Sequence, residues 1–346
     1  MRWPWLNILS VLAAICAGAL IVVQNRQGSA TQVLLNVSYD PTRELYRDLN
    51  SRFVAAYEKE HGVSVAIRQS HGGSSVQAKL VARSELGADV VTLGLPSDVA
   101  AIQSHGLIAN NWRERLPNHS RPYYSTIVFV VRKGNPRNIR DWPDLVKDDI
   151  EVITPDPKTS GNGKLTALAA WGSVVLRGGS EDEARGFLRG LYAHTPFLLT
   201  AARTAGVAFT VEKKGDVHVA WENEALREVD ESKDGLEIVY PPTSILAEPS
   251  VAWVDTNTRQ HGAEPLARAY LEFLFGDEAQ EIIARAGYRP YDRAVLARHA
   301  DRLPQIELFS ISAIARDWGD AQNKFFGDNG VIDSVYKPKP RPESAG

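Results

Sequence analysis

Three times along this chain a short β-prone apolar run ends in small or turn-forming residues, and an apolar stripe at helical spacing follows. Val33-Leu34-Leu35-Asn36-Val37 reads as a buried strand. Asp40 then stands as a helix N-cap with Pro41 at the first helical position. Leu45, Leu49, Phe53, Val54 and Tyr57 recur at helical spacing until Gly62 stops the run. Val63, Val65 and Ile67 alternate as a second strand that ends in a His71-Gly72-Gly73 turn. Ser74 opens the next helix, striped by Val76, Leu80 and Val81, and Val90, Val91 and Leu93 give a further strand. The unit returns at Glu151-Val152-Ile153-Thr154, with a turn through Ser160-Gly161-Asn162-Gly163 and a helix through Leu168 and Trp171. Ser180 and Glu183 form a capping box for the helix after that.

Strands alternating with helices at this spacing specify an α/β fold with largely parallel sheets. In such sheets ligands sit beyond the carboxyl ends of the strands, where helices begin. A helix start exposes unpaired backbone N–H groups and a partial positive charge, which suits an anion. The turns at Asp40, Ser74 and Ser160 all lie there. Ala220-Trp221-Glu222-Asn223, after the apolar Val217 and Val219, adds an indole, a group that donates a hydrogen bond but never accepts one.

A chain of 346 residues exceeds the usual size of one hydrophobic core, so two lobes are expected. The β-prone segments Ser125–Val131 and Pro249–Val254 are the candidate crossovers between them. This divides the chain into residues 31–124 plus 251–336 as one lobe and 125–250 as the other, with 337–346, rich in Pro and Lys, as a loose tail. Residues 1–30 form a signal peptide or an N-terminal membrane anchor. Arg2 precedes an apolar run from Leu6 to Val23, and Gly28-Ser29-Ala30 offers a cleavage site. The run is long for a signal and close to the length of a membrane span. The single cysteine, Cys16, lies inside it, so the mature part has no disulfide and no thiolate metal site.

Net charge is −3, and the only charges in residues 1–30 are Arg2 and Arg26, so the body of the chain is mildly acidic. Nucleic-acid binding wants a basic face, and this composition argues against it. Any anion must be held by local dipoles. Enzyme motifs are absent: His71-Gly72-Gly73 is accompanied by no G-x-S-x-G nucleophile elbow, Gly161-Asn162-Gly163-Lys164 lacks the spacing of a Walker loop, and the histidines show no metal-ligand pattern.

At these motifs the chain closely resembles the periplasmic sulfate-binding proteins, receptors of sulfate/thiosulfate ABC importers. The resemblance is carried by Leu34 to Tyr46, by Gln69-Ser70-His71-Gly72-Gly73-Ser74, by Ser125-Thr126-Ile127-Val128-Phe129 and by Val152-Ile153-Thr154-Pro155. Trp221 to Leu226, Ile245-Leu246-Ala247-Glu248-Pro249 and Tyr288-Arg289-Pro290 continue it, so that it spans roughly residues 33 to 330. It implies a two-lobed type II periplasmic binding protein, each lobe a mostly parallel sheet flanked by helices, closing on the anion in the cleft between lobes.

Carried over position by position, the implied sulfate-binding groups are the Asp40 amide, Ser74, Ser160 with Gly161 and Asn162, the Ala202 amide and Trp221. Asn162 stands where some members have a second glycine, and Ala201 to Gly206 departs from a glycine-rich run. Sulfate carries two charges and no proton at neutral pH, so every contact should be a donor. Asp40 is therefore expected to offer its amide and turn its carboxylate toward its own helix. His71 is read as turn packing, Gly72, Gly73 and Gly161 as turn geometry, and Arg203 as a salt-bridge partner.

The resulting expectation is a monomeric, non-enzymatic periplasmic receptor without metal or cofactor, which hands sulfate to the membrane permease of an ABC importer. Thiosulfate shares the charge and shape of sulfate and stays open as the ligand. A membrane-tethered sulfate sensor, and a receptor for phosphate or molybdate, are the alternatives.

Overall fold

Strand β1 (Gln32–Tyr39) is buried almost continuously from Leu34, as a parallel strand covered on both faces must be. In the computed structural model, which describes residues 31–336, β1 lies between β2 (Val65–Gly72) and β3 (Val90–Leu93) and is parallel to both. Helices α1 (Arg43–His61), α2 (Ser74–Ala82) and α3 (Pro96–Gln103) follow the three strands in turn. Gly62 ends α1 in the left-handed region, φ 66°, where glycine carries no Cβ penalty. The register Tyr39↔Gly72 and Ser38↔Thr92 brings the three carboxyl ends side by side. The helix starts therefore share one rim. The signal or anchor read at residues 1–30, with Cys16, and the tail at 337–346 lie outside the described residues.

The second lobe is built on β4 (Ile127–Arg132), β5 (Val152–Ile153), β6 (Val217–Trp221) and β7 (Leu236–Val239), in the order β5-β6-β4-β7. Its helices include α4 (Gly161–Val175), α5 (Glu181–Ala193), α6 (Ala202–Thr210) and α7 (Glu222–Glu231). The capping box read at Ser180 and Glu183 is present at the start of α5. Strand β8 (Ser250–Trp253) returns to the first sheet and pairs antiparallel with β3.

The pairing of the second sheet corrects the expectation of a mostly parallel one. Only β5 and β6 pair in parallel; β4 is antiparallel to both β6 and β7. The cause is the crossover. A strand delivered from the other lobe begins at the cleft and runs away from it, against strands that end there. In the first sheet this reversed strand, β8, sits at the edge, whereas in the second, β4 sits inside and reverses two pairings.

The crossovers meet as an antiparallel bridge, with Ser125 and Ala247 exchanging backbone bonds of 3.0 and 2.9 Å. Thr126 Oγ1 donates to Ile245 O at 2.9 Å, and Tyr123–Tyr124 pairs with Arg289–Pro290 beside them. Residues 307–336, grouped from sequence with the first lobe, make much of their contact with the second. Glu307–Phe309 pairs with Thr243–Ile245, Phe309 covers Gly172 of α4, and Phe325 meets Trp171 edge-on at 5.1 Å. Among the described residues no helix is long and apolar enough to cross a membrane.

Candidate anion-binding site

Where the two rims face each other they line a small cavity. Tyr39, Asp40, Pro41, Gly72, Gly73 and Ser74 line it from the first lobe, and Ser160, Gly161, Asn162, Ala202 and Trp221 from the second. All seven residues singled out from sequence as binding groups are among them. Tyr39 and Pro41 were not; Gly72 and Gly73 had been read only as turn formers.

Asp40 does not occupy the cap. Tyr39 does, with φ −84° and ψ 154°, and Asp40, Pro41 and Thr42 form a 3-10 turn that leads into α1. Thr42 Oγ1 donates to Tyr39 O at 2.6 Å and fixes the turn one residue earlier than the Asp-Pro pattern suggested. The Asp40 carboxylate accepts from Arg43 Nε at 2.9 Å, on the helix that follows, and from the Arg203 amide of α6, across the cleft, at 3.2 Å.

Gly73 takes the cap position of α2 and Ser74 its first helical position. Ser74 Oγ donates to Asp98 Oδ2 at 2.5 Å and accepts from the Gly94 amide at 3.0 Å. A hydroxyl has one proton, so Ser74 serves an anion only by turning that proton away from Asp98. Gly73 has an ordinary φ of −57°, so its need for glycine is not conformational. A Cβ there would stand 2.5 Å from Thr159 O and 3.3 Å from Thr200 O, both in the opposite lobe. Glycine allows the two rims to close.

Ser160 caps α4 in extended backbone, φ −115° and ψ 134°, and its hydroxyl makes no capping bond. Gly161 and Asn162 are the first two residues of α4, and Ala202 is the first of α6, where amides have no intrahelical acceptor. Asn162 Nδ2 donates to Val219 O at 3.1 Å, tying the start of α4 to the strand that ends in Trp221. Trp221 is only 1% exposed, and its ring lies 5.4 Å from that of Tyr39. It is both a core aromatic and a wall of the cavity.

Among the described residues no lysine or arginine lines the cavity. Arg203 is spent on Glu44, with bonds of 2.8 and 3.1 Å, and on Glu224, as the salt-bridge reading expected. Burial opposes ionisation of Glu44 more than any single partner favours it, but the Arg203 hydrogen bond, the residue's own backbone amide and the charges of Arg203 and Arg227 together hold this carboxyl below its ordinary range. Lys164, one turn into α4, is buried against Asp98 Oδ1 at 3.2 Å and Gln322 Oε1 at 2.9 Å. Asp98 thus gathers Ser74, Ser75 and Lys164, a hub that sequence reasoning missed. His71, on β2 rather than in a turn, has its imidazole held below the usual histidine range by burial and then by Arg43. Glu222, next to Trp221, is bound by Arg289 through two 2.6 Å bonds, yet burial keeps its carboxyl above the usual range.

A far larger hollow, about 720 Å³, lies between α1, α7 and the helix Asp277–Arg285. It carries six carboxylates against four guanidiniums, the wrong balance for a dianion. The small cavity is instead walled by helix starts, a hydroxyl and an indole. Donors of that kind, in a site closed to water, act at low dielectric, where each is worth more than in solution.

Residues 35–289 match the sequence profile of the family described as bacterial extracellular solute-binding protein. The chain belongs to that family. Among bacterial extracellular solute-binding proteins it is 46% identical over 306 residues to the sulfate-binding protein of Salmonella typhimurium, spanning 88% of this chain and 93% of that one. It is 44% identical over 311 residues to the thiosulfate-binding protein of Pseudomonas aeruginosa, spanning 89% and 93%. Among solved structures it is similar to the sulfate-binding protein SubI of Mycobacterium tuberculosis. That match has a TM-score of 0.75 and 31% identity over 85% of this chain and 99% of the other.

Proposed function

We propose that this chain is a receptor for sulfate, exported to the periplasm, which delivers its ligand to the permease of an ABC importer. The observation that carries the reading is the cavity itself. Residues from both lobes bring four helix starts, at Asp40, Ser74, Gly161 and Ala202, with the Ser160 hydroxyl and the Trp221 indole to one point, and among the described residues no cationic side chain is on its wall. Relatives named for sulfate and thiosulfate support the same ligand class.

In this reading the Asp40, Gly161, Asn162 and Ala202 amides, the Ser74 and Ser160 hydroxyls and the Trp221 indole surround the anion with donors. Closure of the lobes removes water and strengthens each contact. The dianion is held by dispersed partial charges rather than by a counter-ion. Thiosulfate, with the same charge and tetrahedral shape, fits the same donors.

Calorimetric titration of the purified chain with sulfate, thiosulfate, phosphate and molybdate tests the reading. Stoichiometric binding of sulfate or thiosulfate, with phosphate and molybdate much weaker and no turnover of sulfate esters, supports it. Preference for phosphate or molybdate, or no binding of any of the four, contradicts it.

A further inference from the structure

Arg203, on the first turn of α6, reaches across the cleft to Glu44, on the first turn of α1. Nη1 donates to Oε1 at 3.1 Å and Nη2 to Oε2 at 2.8 Å, the paired bonds in which a guanidinium matches a carboxylate. Within its own lobe Arg203 rests on Glu224, with Nε 3.3 Å from Oε2 and Nη2 donating to Oε1 at 3.4 Å. The Glu224 carboxylate is 2% exposed and also accepts from Arg227 Nη2 at 3.2 Å. Arg227 finds a second carboxylate in the same lobe, Glu231, at 2.6 Å. The second carboxylate of Arg203 comes from the other lobe.

We propose that Arg203 and Glu44 form a clasp that holds the lobes closed over the bound anion and so sets how slowly it leaves; the inference rests on the receptor reading above. Ala202, next to Arg203, lines the anion cavity, while Glu44 and Glu224 line the large hollow outside it, so the pair stands at the boundary between the two. Opening the lobes parts Arg203 from Glu44 but leaves it beside Glu224, so the pair belongs to the closed form. Because Glu224 already holds the guanidinium, closure orders little that was free, which keeps its entropic cost low. Arg203 and Glu44 are positioning residues: neither lines the cavity, and both act through closure. The sign of the effect separates a clasp from plain electrostatics. Glu44 is a negative charge near a dianion, so through its charge alone its removal should tighten binding. As half of a clasp, its removal should loosen it.

The test follows sulfate exchange in the unaltered chain, Glu44→Gln, Arg203→Gln and the double variant, each checked by thermal melting. Association is measured by stopped-flow tryptophan fluorescence, and release by chasing radiolabelled sulfate with unlabelled sulfate in excess. Glu44→Gln should release sulfate about fivefold faster, the upper end for a partly exposed ion pair, with association nearly unchanged. Arg203→Gln should also speed release, and beside it Glu44→Gln should add no further acceleration, as a double-mutant cycle on one contact requires. Raised ionic strength should speed release from the unaltered chain more than from Glu44→Gln, because salt screens a pair whose side chains are 24% and 44% exposed.

Unchanged or slower release from folded Glu44→Gln overturns the proposal, as does an acceleration by Glu44→Gln that persists in full beside Arg203→Gln. Failure of the unaltered chain to bind sulfate would instead overturn the receptor reading on which this inference stands.

Discussion

The Ser74 hydroxyl lies 2.5 Å from the Asp98 carboxylate, and the same carboxylate reaches Lys164 of the other lobe at 3.2 Å. One buried acid therefore competes with the ligand for a serine proton while anchoring the helix that presents Gly161 and Asn162. Ser74→Ala removes a donor that sulfate needs only if the hydroxyl leaves Asp98 on binding. We expect it to weaken sulfate by about 1.5–3 kcal/mol, the range for a hydrogen bond to a charged partner. Calorimetry checks this, and an unchanged affinity assigns Ser74 to Asp98 alone.

Lys164 and Asp98 are each about 5% exposed on their side chains. Removing one member of such a pair strands the other charge in the interior, at a cost of about 3–5 kcal/mol. Lys164→Met should show a loss of that order in urea unfolding, and adding Asp98→Asn should recover most of it. Equal loss in the single and double variants would show that the pair is not what stabilises this contact.

Trp221→Phe keeps an aromatic ring against Tyr39 and deletes the indole N–H, at the cost of a smaller side chain in a buried position. The fold should hold with a lowered melting temperature, as a smaller side chain in the core requires, while sulfate affinity falls by about 1.5–3 kcal/mol. Full affinity in the variant removes Trp221 from the set of donors.

The His71 imidazole titrates below its ordinary value in the folded protein, first through burial and then through Arg43. The unfolded chain therefore takes up a proton more readily. The stability this group contributes is present above about pH 6.5 and is lost as pH falls through that value toward the folded one. Sulfate has no proton to lose, and His71 stays neutral, so binding should be flat from about pH 6.5 to 8. Chemical denaturation and calorimetry across pH check both statements, and His71→Gln should flatten the acid limb of the stability curve.

Much of this architecture was legible in the residues because buried parallel strands read as apolar runs and caps mark where helices begin. Leu34 to Val37, Ser74 and Ser160 announced their positions in this way, and the resemblance supplied Ala202 and Trp221. Pairing direction was not legible: nothing in Ile127–Arg132 says that it starts at the cleft and lies inside its sheet. The cap at Tyr39 depends on the choice of partner by Thr42. Asp98 looks like any acidic residue in a first helical turn, and its meeting with Lys164 exists only once the lobes dock. Phe309 and Phe325 read as apolar residues near the end of the chain, without sign that they cover helices of the second lobe.

The most direct test of the account is to locate the anion. Selenate has the charge and shape of sulfate and scatters anomalously, so a crystal of the chain grown with it reports position without interpretation of weak density. The account predicts one strong anomalous peak in the small cavity, within hydrogen-bond reach of Ser160, Gly161 and Trp221 and in contact with no lysine or arginine nitrogen. A peak outside that cavity, or one bound directly by a cationic side chain, contradicts it.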